Sequence, residues 1–244
     1  LGMLGGEARV VTPYGATESL PVASISSTEV LQDCRVATEE GQGVCVGHPL
    51  PGVEVRVIPI DDAPIETLDG VTSLPVGEVG EVLVQSPMTT RTYFNRPGST
   101  ELAKVAVRGG EVAHRMGDLG FLDDQGRLWF CGRKSQRVQT ASGPMFTVPC
   151  ELVFNNHPQV LRSALVGLGP EGQKVPVVCV ELEPGEKVER RRLEEELLAL
   201  ARGRPHTQTI ERFLIHPAFP VDIRHNAKIR RGELAAWASG RIGA

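Results

Sequence analysis

A polar joint, Cys131-Gly132-Arg133-Lys134-Ser135-Gln136-Arg137, divides this chain into two stretches of different texture, so no single repeating pattern can govern the whole. Before the joint, short β-branched runs are cut by Gly and Pro, as in Val53 to Ile58 and Gly77 to Val84. Period-two alternation between such breakers predicts half-buried antiparallel strands, with Asp61 to Leu74 as a loop between two of them. A further hairpin is expected across Gly117 to Phe130, turning at Asp124-Gln125-Gly126. After the joint the elements alternate. We expect a helix from about Pro149 to Asn156, strands Val160 to Val166 and Pro176 to Leu182, and a helix from Val188 to Arg202. That helix places Val188, Leu193, Leu197, Leu198 and Ala201 near one face, with Gly203 just past its end. A strand at Phe213 to Ile215, a loop carrying Lys228 and a short helix from Glu233 to Ser239 complete the chain. The fold class is α+β, a β-rich part followed by a small α+β domain.

The 244 residues leave room for a sizeable core, with 41% hydrophobic and 23% charged. A net charge of -4 lacks the basic excess of nucleic-acid binders, so no such partner is expected. The five cysteines are widely spaced, without a C-x-x-C pair, and read as reduced thiols in a cytoplasmic protein. No run approaches the roughly 18 apolar residues of a membrane span. The opening, Leu1 to Val11, has no initiator methionine or polar lead-in and reads as the middle of a domain.

Chemistry-bearing residues fall at separated points. In Tyr14-Gly15-Ala16-Thr17-Glu18, a flat ring lies beside a glycine that lets backbone approach a ligand. Thr17 offers a hydroxyl to a phosphate oxygen, and Glu18 a hard oxygen to Mg²⁺, which typically takes one or two carboxylates plus substrate phosphates. Asp118, between Gly117 and Leu119-Gly120, could accept from ribose hydroxyls. Each has a plain alternative: a capped turn, a turn aspartate, an exposed lysine at Lys228. Singly, none decides.

Taken in order, the segments resemble the adenylate-forming superfamily, which activates carboxylic acids with ATP. The resemblance rests on Tyr14 to Glu18, Gly80-Glu81-Val82-Leu83, Met116-Gly117-Asp118, Gly132-Arg133, Pro149-Cys150-Glu151, His157-Pro158-Gln159-Val160 and Asn226-Ala227-Lys228-Ile229. It covers the C-terminal portion of that architecture: residues 1–131 as the end of the large AMP-binding domain, 132–138 as a hinge at Ser135, and 139–244 as a small mobile lid. The family's phosphate-gripping loop has no counterpart here, which implies a missing N-terminal part of the same enzyme as partner. The resemblance implies that Tyr14 and Gly15 line adenine, Thr17 meets the α-phosphate, Glu18 binds Mg²⁺, Asp118 and Arg133 hold the ribose, and Lys228 donates to the acyl carboxylate and α-phosphate.

Departures narrow the reading. Gln139 stands where thioester-forming members carry a lysine beside their coenzyme A tunnel, and extra residues precede Pro149. The stretch from Asp222 to Ile229, with Thr12 to Ala23, is similar instead to the olefin-biosynthesis β-lactone synthetases. That implies ATP-dependent activation of a long-chain 2-alkyl-3-hydroxy acid, followed by intramolecular attack of its β-hydroxyl. His225 is a candidate base for that hydroxyl, although a histidine that merely positions Lys228 or caps backbone is the preferred reading. Alternatives are a long-chain fatty acyl-CoA ligase or acyl-AMP ligase, and an inactive fragment or interaction module. Other olefin-pathway enzymes are possible partners.

Overall fold

The Gly- and Pro-punctuated runs before the joint become one antiparallel sheet in the computed structural model, which describes residues 9–185, 188–222 and 225–242, excluding the side chains of 225–227. Two units emerge, dividing between Ser135 and Gln136, with Glu39–Gly41 assigned to the second.

The first unit contains β1 (Val11–Ala16), β2 (Ser19–Ser26), β3 (Val44–Pro49), β4 (Glu54–Ile58), β5 (Gly80–Gln85), β6 (Lys104–Val107), β7 (Glu111–Leu122) and β8 (Leu128–Arg133). Their order is β1-β2-β3-β8-β7-β5-β4, with β6 on β7. Side chains alternate across a strand, so Val82 and Val84 enter one core with Val22 and Met116, while Leu83 enters another with Ile58 and Val105. The strand β5 is thus buried on both faces rather than half-buried, in agreement with its unbroken apolar residues Val82 to Val84.

One buried charge crosses this sheet. Glu81 accepts from Arg115 Nη2 at 2.6 Å and lies 3.1 Å from Lys134 Nζ. Arg115 also donates to the carbonyls of Asp61, Ala63 and Leu102, tying the irregular segment after β4 to the sheet. The expected loop at Asp61 to Leu74 is therefore fastened by a guanidinium as well as by a single parallel bridge, Thr67 to Ala106 of β6.

Helical structure not anticipated from sequence runs through α1 (Ser27–Glu29), a π-helical turn at Val30–Cys34 and α2 (Arg35–Glu39). Ser26 Oγ accepts from Glu29 N at 3.3 Å, the N-cap bond of a Ser-x-x-Glu start. A second short helix, α3 (Pro97–Ala103), begins at Pro97, whose fixed φ suits a first turn.

The second unit begins with the hairpin β9 (Val138–Thr140) and β10 (Gly143–Met145), then α4 (Thr147–Asn155). Its sheet joins β11 (Val160–Leu168), β12 (Val175–Leu182) and β13 (Phe213–Ile215), with β12 and β13 parallel. Helix α5 (Arg190–Arg202) covers one face: Leu193 and Leu197 pack with Leu165, Val178 and Val180. On the opposite face α6 (Arg231–Ile242) sets Leu234 and Ala238 against Ala164, Val166 and Cys179. All four residues from Val177 to Val180 are fully buried, as a strand sandwiched between helices requires.

Two expectations need correction. Lys228 lies in β15 (His225–Ile229), which pairs antiparallel with β14 (Val221–Asp222), not in a loop. The terminal helix is longer, Arg231–Ile242, because Leu234 and Ala238 supply a buried stripe. Gly203 is the C-cap of α5, as expected, and holds a right-handed conformation there.

Candidate active site

Tyr14-Gly15-Ala16-Thr17-Glu18 forms the end of β1 and the tight connection into β2. The register shifts between Tyr14 and Ala16, placing Gly15 at an irregularity in the ladder. A Cβ added there would lie 2.7 Å from both Ser19 O and Leu20 Cδ1, so the crossing accepts only glycine. The glycine thus brings the two strands together at the point where Tyr14 turns inward and Thr17 outward to solvent.

Tyr14 donates its hydroxyl to Asp118 Oδ2 at 2.7 Å, joining the hairpin to β7. Asp118 faces Arg133 across the β7–β8 ladder, and Arg133 Nη1 approaches Asp118 Oδ1 at 2.8 Å. That approach is an ion-pair distance without hydrogen-bond geometry: the buried Oδ1 has no hydrogen-bond partner among the described residues. Burial raises the Asp118 pKa, opposed by the Tyr14 hydrogen bond and by both the charge and the donor capacity of Arg133. Tyr14 is pushed well above an ordinary phenol by burial and then by the neighbouring carboxylate. It therefore stays a donor, and its ring lies 6.3 Å from Phe130. One Asp118 oxygen is committed to Tyr14, and the other faces the half-exposed Arg133 guanidinium at 2.8 Å without a well-aligned hydrogen bond. A buried acceptor in that condition fits a ligand hydroxyl such as those of ribose.

Glu18 sits in a second polar cluster of the same unit. Tyr93 donates its hydroxyl to Glu18 Oε1 at 2.7 Å, and Thr90 N donates to the Glu18 carbonyl at 2.8 Å. Lys104 Nζ donates to Thr90 Oγ1 at 3.0 Å and lies 5.5 Å from the centre of the Tyr93 ring. Partial burial works against the Glu18 charge, but the Tyr93 hydrogen bond and nearby positive groups outweigh it and lower its pKa. An ionised carboxylate with one oxygen oriented by Tyr93 suits a hard cation. No group of three or more His, Cys, Asp or Glu side chains able to hold a metal occurs among the described residues. Glu18 therefore fits a magnesium held by one carboxylate and by substrate phosphates, and does not fit an all-protein cage.

Lys228 belongs to the second unit, exposed on β15. The adjacent Ile229 packs into the core beside Leu234 and Val221. Alternation along the strand thus turns the ammonium outward. His225 is in the same strand, but its side chain lies outside the described residues. Ser135 is exposed, in the short 3-10 turn Lys134–Gln136. The structure accordingly brings Tyr14, Asp118 and Arg133 into one network and leaves Glu18 in another.

Sequence reading missed several residues that organise these groups. Lys104 and Arg115 act through folding from β6 and β7, Tyr93 from the irregular segment before α3, and no spacing rule links Tyr93 to Glu18. The ion pair of Glu151 with Arg231 was equally hidden, although both residues fall in or beside the quoted motifs.

No family model matches the chain. It is 54% identical over 242 residues to an olefin β-lactone synthetase of Xanthomonas campestris pv. campestris, covering 97% of this chain and 43% of that protein. A second olefin β-lactone synthetase, from Stenotrophomonas maltophilia, is 52% identical over 244 residues, covering 98% and 44%. Among solved structures, the amide bond synthetase McbA from Marinactinospora thermotolerans aligns with a TM-score of 0.72 and 26% identity, over 93% of this chain and 42% of that one. The chain thus spans less than half the length of the curated relatives it matches. With Tyr14, Asp118 and Arg133 on one sheet and these likenesses running almost from end to end, the chain belongs to the adenylate-forming superfamily.

Proposed function

We propose that this chain is the C-terminal portion of an enzyme that activates a long-chain 2-alkyl-3-hydroxy acid with ATP and closes the resulting acyl-adenylate to a β-lactone. The observation that carries the nucleotide half of this reading is Asp118 Oδ1, a buried acceptor without a hydrogen-bond donor among the described residues, beside Tyr14 and Arg133. The near relatives are named olefin β-lactone synthetases, and that name supports the acid substrate and the lactone.

In this reading residues 1–131 end the large nucleotide-binding domain, 132–138 form a hinge, and 139–244 are a lid. Tyr14 and Gly15 border the adenine, Asp118 accepts from the ribose, and Arg133 assists there. Thr17, exposed at the hairpin end, reaches the α-phosphate. Magnesium, when bound beside Glu18, would offset the charge of the phosphates. Lys228 adds a preorganised ammonium where negative charge builds as the substrate carboxylate attacks. Rotation about Ser135 would bring that lysine in for adenylation and withdraw it afterwards. The substrate's own β-hydroxyl then attacks the acyl carbonyl, expelling AMP. The reaction is intramolecular, so high effective molarity offsets part of the ring strain. No thiol is needed.

The test is an end-point assay of the full-length protein with ATP and a 2-alkyl-3-hydroxy acid, without any thiol. AMP, pyrophosphate and a lactone are expected, unchanged on adding coenzyme A. A thioester formed only with coenzyme A would replace this reading with an acyl-CoA ligase.

A further inference from the structure

The proline-x-glutamate motif has no part in the chemistry above, yet Glu151 is among the most buried charges of the second unit, at 7% exposure. Its carboxylate is held by Arg231, with Nη1 to Oε1 at 2.5 Å and Nη2 to Oε2 at 2.8 Å, a fork-on-fork ion pair. Leu165 N donates to the same Oε1 at 2.8 Å. Arg231 also donates from Nε to Gln136 Oε1 at 3.1 Å and from Nη1 to the Leu165 carbonyl at 3.2 Å. One guanidinium therefore joins α4, β11, Gln136 in the turn before β9 and the start of α6.

Arg231 is also three residues beyond Lys228. Between them, Ile229 enters the core and Arg230 N donates to Pro220 O at 2.8 Å, closing the base of the β14–β15 hairpin. The lysine strand is thus clamped directly after its exposed ammonium. A short two-residue strand on the other side, Val221–Asp222, is a weak partner by itself. The clamp supplies the stiffness that the hairpin lacks.

We propose that Arg231 is the positioning residue of Lys228, fixing the root of the lysine strand to Glu151 and Gln136 so that the ammonium is delivered in one geometry. The inference rests on the role given to Lys228 above. Lysine cannot replace this arginine, because an ammonium has no planar fork to span both carboxylate oxygens while a further nitrogen bonds Gln136.

A double-mutant cycle on the full-length protein tests it, measuring ATP–pyrophosphate exchange driven by the β-hydroxy acid. Arg231→Lys should lower kcat about tenfold to a hundredfold, the scale of an ångström of misplacement, with KM for ATP unchanged. Lactone formation from supplied acyl-adenylate should not change. The Arg231→Lys/Lys228→Ala double variant should be no slower than Lys228→Ala, since a positioning residue has nothing left to position. Gln136→Ala, a milder change at a half-buried acceptor, should produce a smaller fall in kcat of the same kind. Full exchange in both Arg231→Lys and Gln136→Ala would overturn the inference, as would losses that multiply with Lys228→Ala. If Lys228→Ala itself leaves exchange intact, the role of the lysine fails first, and that outcome is distinguishable from the others.

Discussion

Asp118 in the first unit and Glu151 in the second are both buried carboxylates opposite an arginine, but they are satisfied to different degrees. Glu151 has both oxygens on Arg231 and a backbone donor besides. Asp118 has one oxygen on Tyr14, while the other meets Arg133 without hydrogen-bond geometry. Arg231 is largely enclosed, whereas the Arg133 side chain is 50% exposed and can turn toward a ligand. We read the saturated carboxylate as scaffold and the one that meets only a half-exposed guanidinium as the candidate for ligand contact. Glu81, held by Arg115 and Lys134, follows the scaffold pattern.

The largest effect that could break this contrast is on stability. Arg231→Met leaves Glu151 buried without its partner and should cost the second unit about 3–5 kcal/mol. Urea unfolding followed at Trp237 reads this directly, and a loss below about 1 kcal/mol would mean that the pair is not the anchor of its unit. Next comes the exposed lysine. Lys228→Ala should slow acyl-adenylate formation by about 10²–10³ in ATP–pyrophosphate exchange while leaving the melting temperature unchanged.

A third comparison uses pH. Burial, followed by the Lys104 charge, lowers the His114 pKa from 6.5 to about 4. Above pH 6.5 the ring is neutral in both the folded and the unfolded chain, and its full contribution to stability is present. As pH falls toward 4, the unfolded chain takes up a proton that the folded one cannot, so stability is lost across that window. At about 1.4 kcal/mol for each pH unit, the loss amounts to at most about 3 kcal/mol. Urea midpoints for the wild type and His114→Gln should diverge across this window, with the variant showing the flatter profile. Parallel profiles would show that the ring titrates normally.

Much of this organisation was legible before any coordinates. The joint at Cys131 to Arg137 marked the change between units, because its polar run interrupts two apolar textures. Strands β11 to β13 and helix α5 were found within a few residues, since period-two and helical patterns survive where both faces or one stripe are buried. The lysine strand was not found: His225–Ile229 has little β-branched character, and its pairing with only Val221–Asp222 is held from outside by Ile229 and Arg231. The helical segment after Ser26 was also missed, despite the Ser-x-x-Glu start, because a π-helical turn breaks the apolar period. Of the proposed site, the sequence carries only residue types and their order. Which oxygen of Asp118 meets Tyr14, and that Tyr93 reaches Glu18, depend on segments distant in sequence.

The most direct measurement of the central claim, that the unsaturated carboxylate is the ligand-facing one, is AMP binding by titration calorimetry to the full-length protein and its Asp118→Asn and Glu151→Gln variants. Losing a charged acceptor worth about 1.5–3 kcal/mol should weaken binding by about tenfold to a hundredfold in Asp118→Asn. Glu151→Gln, if folded to the same far-UV signature, should bind AMP as the wild type does. Equal affinity in wild type and Asp118→Asn would contradict the account.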